Sequence, residues 1–128
     1  MIEKVEIQKL KKGRFIVVDG EPCRIVGMDM SAPGKHGHAK YRVDAIGLFD
    51  GKKRQFIVPS GHKVDVPIVD KRTGQVLSVM GKTVQLMDSQ SYETFEVELP
   101  DDFTSEITEG SEISYWEILG KKLLKEVK

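Results

Sequence analysis

Cysteine is almost missing from this sequence: Cys23 stands alone, so no intramolecular disulfide can form and the chain reads as intracellular. No apolar run approaches the roughly 20 residues of a membrane helix, so a soluble protein with no membrane contact is expected. The start, Met1-Ile2-Glu3-Lys4-Val5-Glu6-Ile7, interrupts its apolar residues with charge and lacks the continuous core of a secretory signal. Neither sign of charge prevails, with Lys plus Arg 20 and Asp plus Glu 20 giving net charge +0, which excludes a globally basic nucleic-acid binder. Long helical patterns are also scarce, which argues against βαβ units.

What remains is a chain of 128 residues, enough for one ordinary domain or two very small ones, and too short for a large multidomain enzyme. At 39% hydrophobic and 31% charged residues it is globular rather than disordered. The neutral total conceals a division. Residues 1–70 hold 13 Lys/Arg against 9 Asp/Glu, and residues 71–128 hold 7 against 11, a mildly basic half followed by a mildly acidic one.

The dominant apolar period is two. In Lys40-Tyr41-Arg42-Val43-Asp44-Ala45 the apolar residues share one face and the charges the other, the mark of a half-buried strand. Strand-like runs recur at 15–18, 23–26, 55–58, 64–69, 75–80, 83–87, 95–99 and 113–119. Asp19-Gly20, Asp50-Gly51, Thr73-Gly74 and Gly81-Lys82 read as tight turns between them. The sequence therefore predicts an all-β protein of two small barrels, an SH3-like one over 1–70 and an OB-like one over 71–128, with a new set of strands starting at Gln75. Residues 120–128 fit either a helical turn or an extension of the last strand. The aromatics of the second half, Tyr92, Phe95, Phe103, Tyr115 and Trp116, allow stacking on nucleic acid, but a barrel this small needs them for its core, which is the expectation.

One segment belongs to no core. Asp29-Met30-Ser31-Ala32-Pro33-Gly34-Lys35-His36-Gly37-His38-Ala39 is polar and glycine-rich, and suits an exposed hairpin tip. A phosphate-binding P-loop is excluded, because Asp29 occupies the place of its first glycine and His36 follows Lys35 where Ser or Thr is required. A metal site on His36 and His38, with Cys23 and His62 as distant candidates, lacks the spacing of a ligand set, and no metal is expected. A third reading makes Lys35 the working group, presented to a narrow polar cavity of a partner; an ordinary solvated lysine is its alternative.

The run Gly34-Lys35-His36-Gly37-His38-Ala39-Lys40 closely resembles the signature loop of the translation initiation factor 5A family, and the stretch from Asp70 to Gly81 resembles the start of that family's second domain. The resemblance spans the chain, and the short N-terminus resembles the archaeal branch. It implies an SH3-like barrel followed by an OB fold. It implies that Lys35 receives an aminobutyl group from spermidine, transferred by the NAD-using deoxyhypusine synthase, giving deoxyhypusine or, after hydroxylation, hypusine. No other cofactor is implied. The implied partners are the ribosome, its RNA and the peptidyl-tRNA, in the cytoplasm, with the modified side chain beside the acceptor end, where it promotes peptide-bond formation at stalled sites such as proline runs. Gly34, His36, Gly37 and His38 would support the loop and its contacts with RNA and the modifying enzyme, and Lys40 and Arg42 would add phosphate contacts at its base.

An aminobutyl extension adds about 6 Å of reach and a second amine, turning a short cationic loop into a long dicationic probe. No active site of its own is expected of such a factor. The competing reading is an unmodified RNA-binding module of SH3-like plus OB type; a nuclease built on His36 or His38 finds no second catalytic group.

Overall fold

The computed structural model describes residues 2–32, 39–100, 103 and 106–127. Within these the chain is all β but for a single 3-10 turn, and it forms two compact units, 1–68 and 69–128.

The first unit contains β1 (Ile2–Glu6), the 3-10 turn Ile7–Lys9, β2 (Phe15–Val18), β3 (Glu21–Ser31), β4 (Lys40–Gly47), β5 (Lys53–Pro59) and β6 (Lys63–Pro67). Strands β2-β3-β4-β5 make an antiparallel meander, and β1 pairs with β6. The alternation read in 40–45 is realised on β4: Val43 and Ala45 are buried while Arg42 is exposed and Asp44 is half-buried. They join Ile7, Ile16, Cys23 and Ile25 in one core, against which Leu10, Met28, Tyr41, Phe56, Val58 and Val64 pack. The Asp19-Gly20 turn closes the β2–β3 hairpin with φ of 52° and 79°, the left-handed pair that a two-residue connection demands.

The second unit contains β7 (Val69–Met80), β8 (Thr83–Asp88), β9 (Thr94–Glu98), β10 (Glu112–Ile118) and β11 (Lys121–Val127), ordered β11-β10-β7-β8-β9 in one antiparallel sheet. Val76, Val84, Leu86, Ile113, Tyr115 and Leu124 form its core. Tyr115 is 1% exposed, and its ring lies 5.1 Å from that of Phe95. Burying a tyrosine takes about 150–250 Å² out of water, several kcal/mol at about 25 cal/mol/Å².

The structure corrects the sequence reading in five places. Thr73-Gly74 is no turn: β7 runs unbroken from Val69, so no new strand set starts at Gln75. Gly74 faces Ile113 across the ladder, where its missing Cβ leaves room for the Tyr115 ring and the Met87 carbonyl. The run 64–69 is divided at Ile68 between β6 and β7. Residues 121–127 are a strand, because Ile118 and Lys121 register as a hairpin around Leu119 and Gly120, both at positive φ. Asp29, Met30 and Ser31 belong to β3 rather than to a loop, since they pair with Arg42, Tyr41 and Lys40. The aromatics divide: Tyr115 is core and Phe95 and Phe103 pack on it, but Tyr92 is 70% exposed at a turn and Trp116 lies outside the core cluster.

Candidate nucleic-acid interface at the root of the lysine hairpin

The β3–β4 ribbon outruns the core beneath it. Its rungs Met28–Val43, Asp29–Arg42, Met30–Tyr41 and Ser31–Lys40 lead to the connection 32–39. Val43 is fully buried, whereas Met30, near the other end, is 60% exposed. Gly34, Lys35, His36, Gly37 and His38 lie outside the described residues, on the chain that joins these two strand ends.

Pleating sends alternate rungs to opposite faces. Met28, Val43 and Phe56 face the core, and the next rung places Asp29, Arg42 and Ile57 on the outer face, followed there by Ser31, Lys40 and Pro59. Of the two predicted root residues, Lys40 is exposed, and Arg42 keeps 57% of its side chain in solvent. Its guanidinium lies 4.0 Å from Asp44, whose other carboxylate oxygen accepts a 2.7 Å hydrogen bond from Gln55. An exposed pair at that distance holds the guanidinium weakly, so it remains available to a phosphate. Ile57, 65% exposed, adds an apolar neighbour on the same rung.

The root is braced from the side by residues absent from the sequence-derived site. The Ser60 amide donates to the Ala39 carbonyl at 2.8 Å, and the Ile7 amide donates to the His62 carbonyl at 2.9 Å. The Gly61 amide donates to Gln8 Oε1 at 2.8 Å. The β5–β6 turn thereby ties the hairpin root to the 3-10 turn. The turn-forming run Pro59-Ser60-Gly61-His62 was the available signal, but its partners Gln8 and Ala39 lie far away in the chain.

At the opposite end of the meander the Asp50 carboxylate receives two hydrogen bonds from Arg54, at 2.8 and 3.1 Å, and these hold it well below the usual carboxylate range. Arg54 also approaches Cys23 Sγ at 3.9 Å. Burial nevertheless pushes the Cys23 thiol up. Cys23 is a core residue of the barrel and His62 sits in the β5–β6 turn, which is where the two distant metal candidates fall.

Comparison with known proteins extends the geometry. Residues 3–62 match the family description "Translation initiation factor 5A-like, N-terminal", and residues 68–128 match "Eukaryotic elongation factor 5A hypusine, DNA-binding OB fold". Over 129 residues the chain is 50% identical to translation initiation factor 5A of Thermococcus kodakarensis, covering 98% of this chain and 95% of that one. It is 49% identical over 124 residues to the factor of Methanothermobacter thermautotrophicus, covering 97% and 95%. The solved structure of the factor from Methanococcus jannaschii superposes with a TM-score of 0.92 at 42% identity, covering 98% of this chain and 96% of that one. An SH3-like barrel followed by an OB fold, with these matches over both, defines a two-domain translation factor. The chain belongs to the translation initiation factor 5A family.

Proposed function

We propose that this factor binds the ribosome in the cytoplasm and promotes peptide-bond formation at stalled sites, proline runs among them, through a deoxyhypusine or hypusine side chain on Lys35. What supports the reading is that the sequence run Gly34-Lys35-His36-Gly37-His38 falls between β3 and β4, whose paired ends are exposed and whose root is braced. A ribbon narrower than a barrel reaches where the barrel does not, and the aminobutyl group, supplied from spermidine by deoxyhypusine synthase, extends that reach by about 6 Å.

In a pocket of ribosomal RNA, low dielectric strengthens each charge-assisted hydrogen bond from the two amines. The partners are the acceptor end of peptidyl-tRNA and the RNA around it. Proline restricts the reacting backbones, and holding the acceptor end restores a near-attack arrangement. Catalysis remains the ribosome's, and the factor contributes position. Lys40 and Arg42 take phosphates at the root, Gly34, His36, Gly37 and His38 shape the tip for RNA and for the modifying enzyme, and the OB unit orients the first through protein or tRNA contacts.

Mass spectrometry of protein from its native host is expected to show about 71 Da added to Lys35. Lys35→Arg keeps the charge and refuses the modification, so proline-run synthesis is expected to lose its stimulation while bare RNA affinity persists. An unmodified native Lys35, together with proline-run synthesis indifferent to Lys35→Ala, would overturn the mechanism.

A further inference from the structure

In the first unit two strand edges face each other without bonding. β2 lies alongside β6, yet in the sheet order β2 is hydrogen-bonded to β3 and β6 to β1. Val18 and Glu21 flank the two-residue Asp19-Gly20 turn and form its hydrogen-bonded rung, so Val17, opposite Pro22 on the next rung, turns its N–H and C=O away from β3. On β6 the Ile7 amide bonds to the His62 carbonyl, and alternation along that register makes Glu6–Lys63 and Lys4–Asp65 the rungs that do not bond. Lys63 and Asp65 therefore turn their backbone groups away from β1. Among the described residues no backbone hydrogen bond joins Val17 to either of them.

Here a cleft of about 430 Å³ opens, within the about 300–1,000 Å³ typical of ligand sites. Its floor is apolar: Ile16 and Val18 from β2, Phe56 and Val58 from β5, and Val64 from β6, all part of the barrel core or packed against it. Its rim is charged, and the charges are only partly matched. Lys4 is held by Asp65 at 2.7 Å. Lys63 is exposed beside the exposed His62, and among the described residues no carboxylate lies within 4.0 Å of its ammonium. Asp19, on the turn that follows β2, is the other lining carboxylate. The unit around the cleft carries 13 Lys/Arg against 8 Asp/Glu over residues 1–68.

We propose that this cleft docks an acidic, extended segment of a partner protein, which lays one apolar side chain on the floor, bonds its peptide groups to the Val17 edge and sets a carboxylate on Lys63. A strand edge presents an N–H and a C=O from the same residue, and a peptide chain returns that pair of bonds. The cleft has room for one side chain and the peptide groups beside it rather than for a whole added strand. The unit's excess of basic residues and the unmatched Lys63 favour carboxylates on the segment, while Asp19 can accept from one of its N–H groups. Main-chain bonds then supply affinity, and the apolar side chain with its neighbouring carboxylate supplies choice. Lys35 takes no part, so the site stands apart from the function proposed above.

Full-length protein is titrated with fluorescent hexapeptides of glutamate around one central Leu, Ile or Phe, and binding is read by anisotropy. Saturable binding is expected for at least one of them, weakened about tenfold by Lys63→Glu and by a serine at the peptide's centre. Lys52→Glu makes the same charge change at an exposed position between β4 and β5, and should leave the affinity within about twofold. Lys63 is exposed, so its variant keeps the core, and circular dichroism verifies folding. Amide spectra of isotope-labelled protein should shift at Val17, Lys63 and Asp65, and methylating the peptide's central amides should abolish binding. Absence of saturable binding by all three peptides, equal binding of the serine peptide, an equal loss in Lys52→Glu, or amide shifts confined to other strands would each overturn the proposal. Displacement of the peptide by an oligouridylate would overturn it in favour of a general polyanion surface.

Discussion

The phenol of Tyr115 donates its hydrogen to the carboxylate of Asp88, and both groups are almost wholly buried, at 1% and 2% exposure. Arg72 donates to the same carboxylate through Nε at 2.7 Å and Nη2 at 3.1 Å, and the amides of Gln90 and Ser91 donate at 2.8 and 2.9 Å. One carboxylate thereby joins β7, β8 and β10 and shapes the turn that follows β8. Such a charge is tolerated inside a small barrel because its lone pairs are occupied. Tyr115→Phe removes one donor of several and is expected to cost about 1 kcal/mol, whereas Asp88→Ala strands the Arg72 and Tyr115 donors and is expected to cost about 3 kcal/mol or more. Denaturant unfolding followed by Trp116 fluorescence checks the order; a larger loss for Tyr115→Phe would refute the assignment of Asp88 as the hub.

The same cluster sets a pH window at each end. Arg72, and then the hydrogen bonds from Tyr115 and the two amides, hold the Asp88 carboxyl far below the usual carboxylate range despite its burial. Its contribution is therefore complete at neutral pH and lost as pH falls below about 4, where the unfolded carboxylate begins to take protons. Burial, and then the bond to Asp88, pushes the Tyr115 phenol up. Above about pH 10 the unfolded chain releases that proton while the folded one keeps it, so stability falls as pH rises. Thermal melts from pH 3 to 11, read at Trp116, should trace a plateau with both shoulders; Tyr115→Phe should flatten the alkaline one, and an unchanged alkaline limb would contradict the assignment.

Each unit carries its own reporter. Cys23 is fully buried and burial raises its thiol, so thiol reagents should leave the native protein nearly untouched and react only on opening of the first unit. Trp116 reports the second. Labelling of Cys23 and fluorescence of Trp116, measured across one denaturant series, resolve whether the two cores unfold together. Full-rate labelling of native protein would show that the first core is not closed around the thiol.

Two glycines make a paired test. A Cβ on Gly74 would meet the Met87 backbone carbonyl at 3.2 Å and the Tyr115 ring at 3.4 Å, whereas a Cβ on Gly27 would meet the Asp44 carboxylate oxygen at the same 3.2 Å. A paired backbone cannot retreat, but a half-exposed side chain can. Gly74→Ala is expected to destabilise the second unit by about 1–2 kcal/mol, and Gly27→Ala to change the first by less than about 0.5 kcal/mol. Equal losses in the Trp116 and Cys23 readouts would show that the neighbour's mobility does not decide the cost.

Much of this organisation was legible in local sequence. The alternation in 40–45, the left-handed Asp19-Gly20 and the lysine and histidine run each depend on neighbours within a few residues, and local periodicity and turn chemistry suffice to read them. Thr73-Gly74 misled because the dipeptide has a turn's composition, while its actual role is set by Ile113 and Tyr115, some forty residues onward. The bulges at Val26, Leu77 and Lys125 were equally hidden, since each adds one residue to a strand and so breaks the period that the reading relies on.

Side-chain order along the chain was enough to specify an all-β protein and much of its strand and turn pattern, because strand alternation and turn geometry are properties of short stretches. Pairing in three dimensions settled the rest: that Trp116 points away from the core between Lys71 and Lys125 while its neighbour Tyr115 points into it, and that Asp88 finds Arg72 and Tyr115. A strand buries one face or the other according to its register with partners distant in sequence, and a shift of one residue exchanges the two.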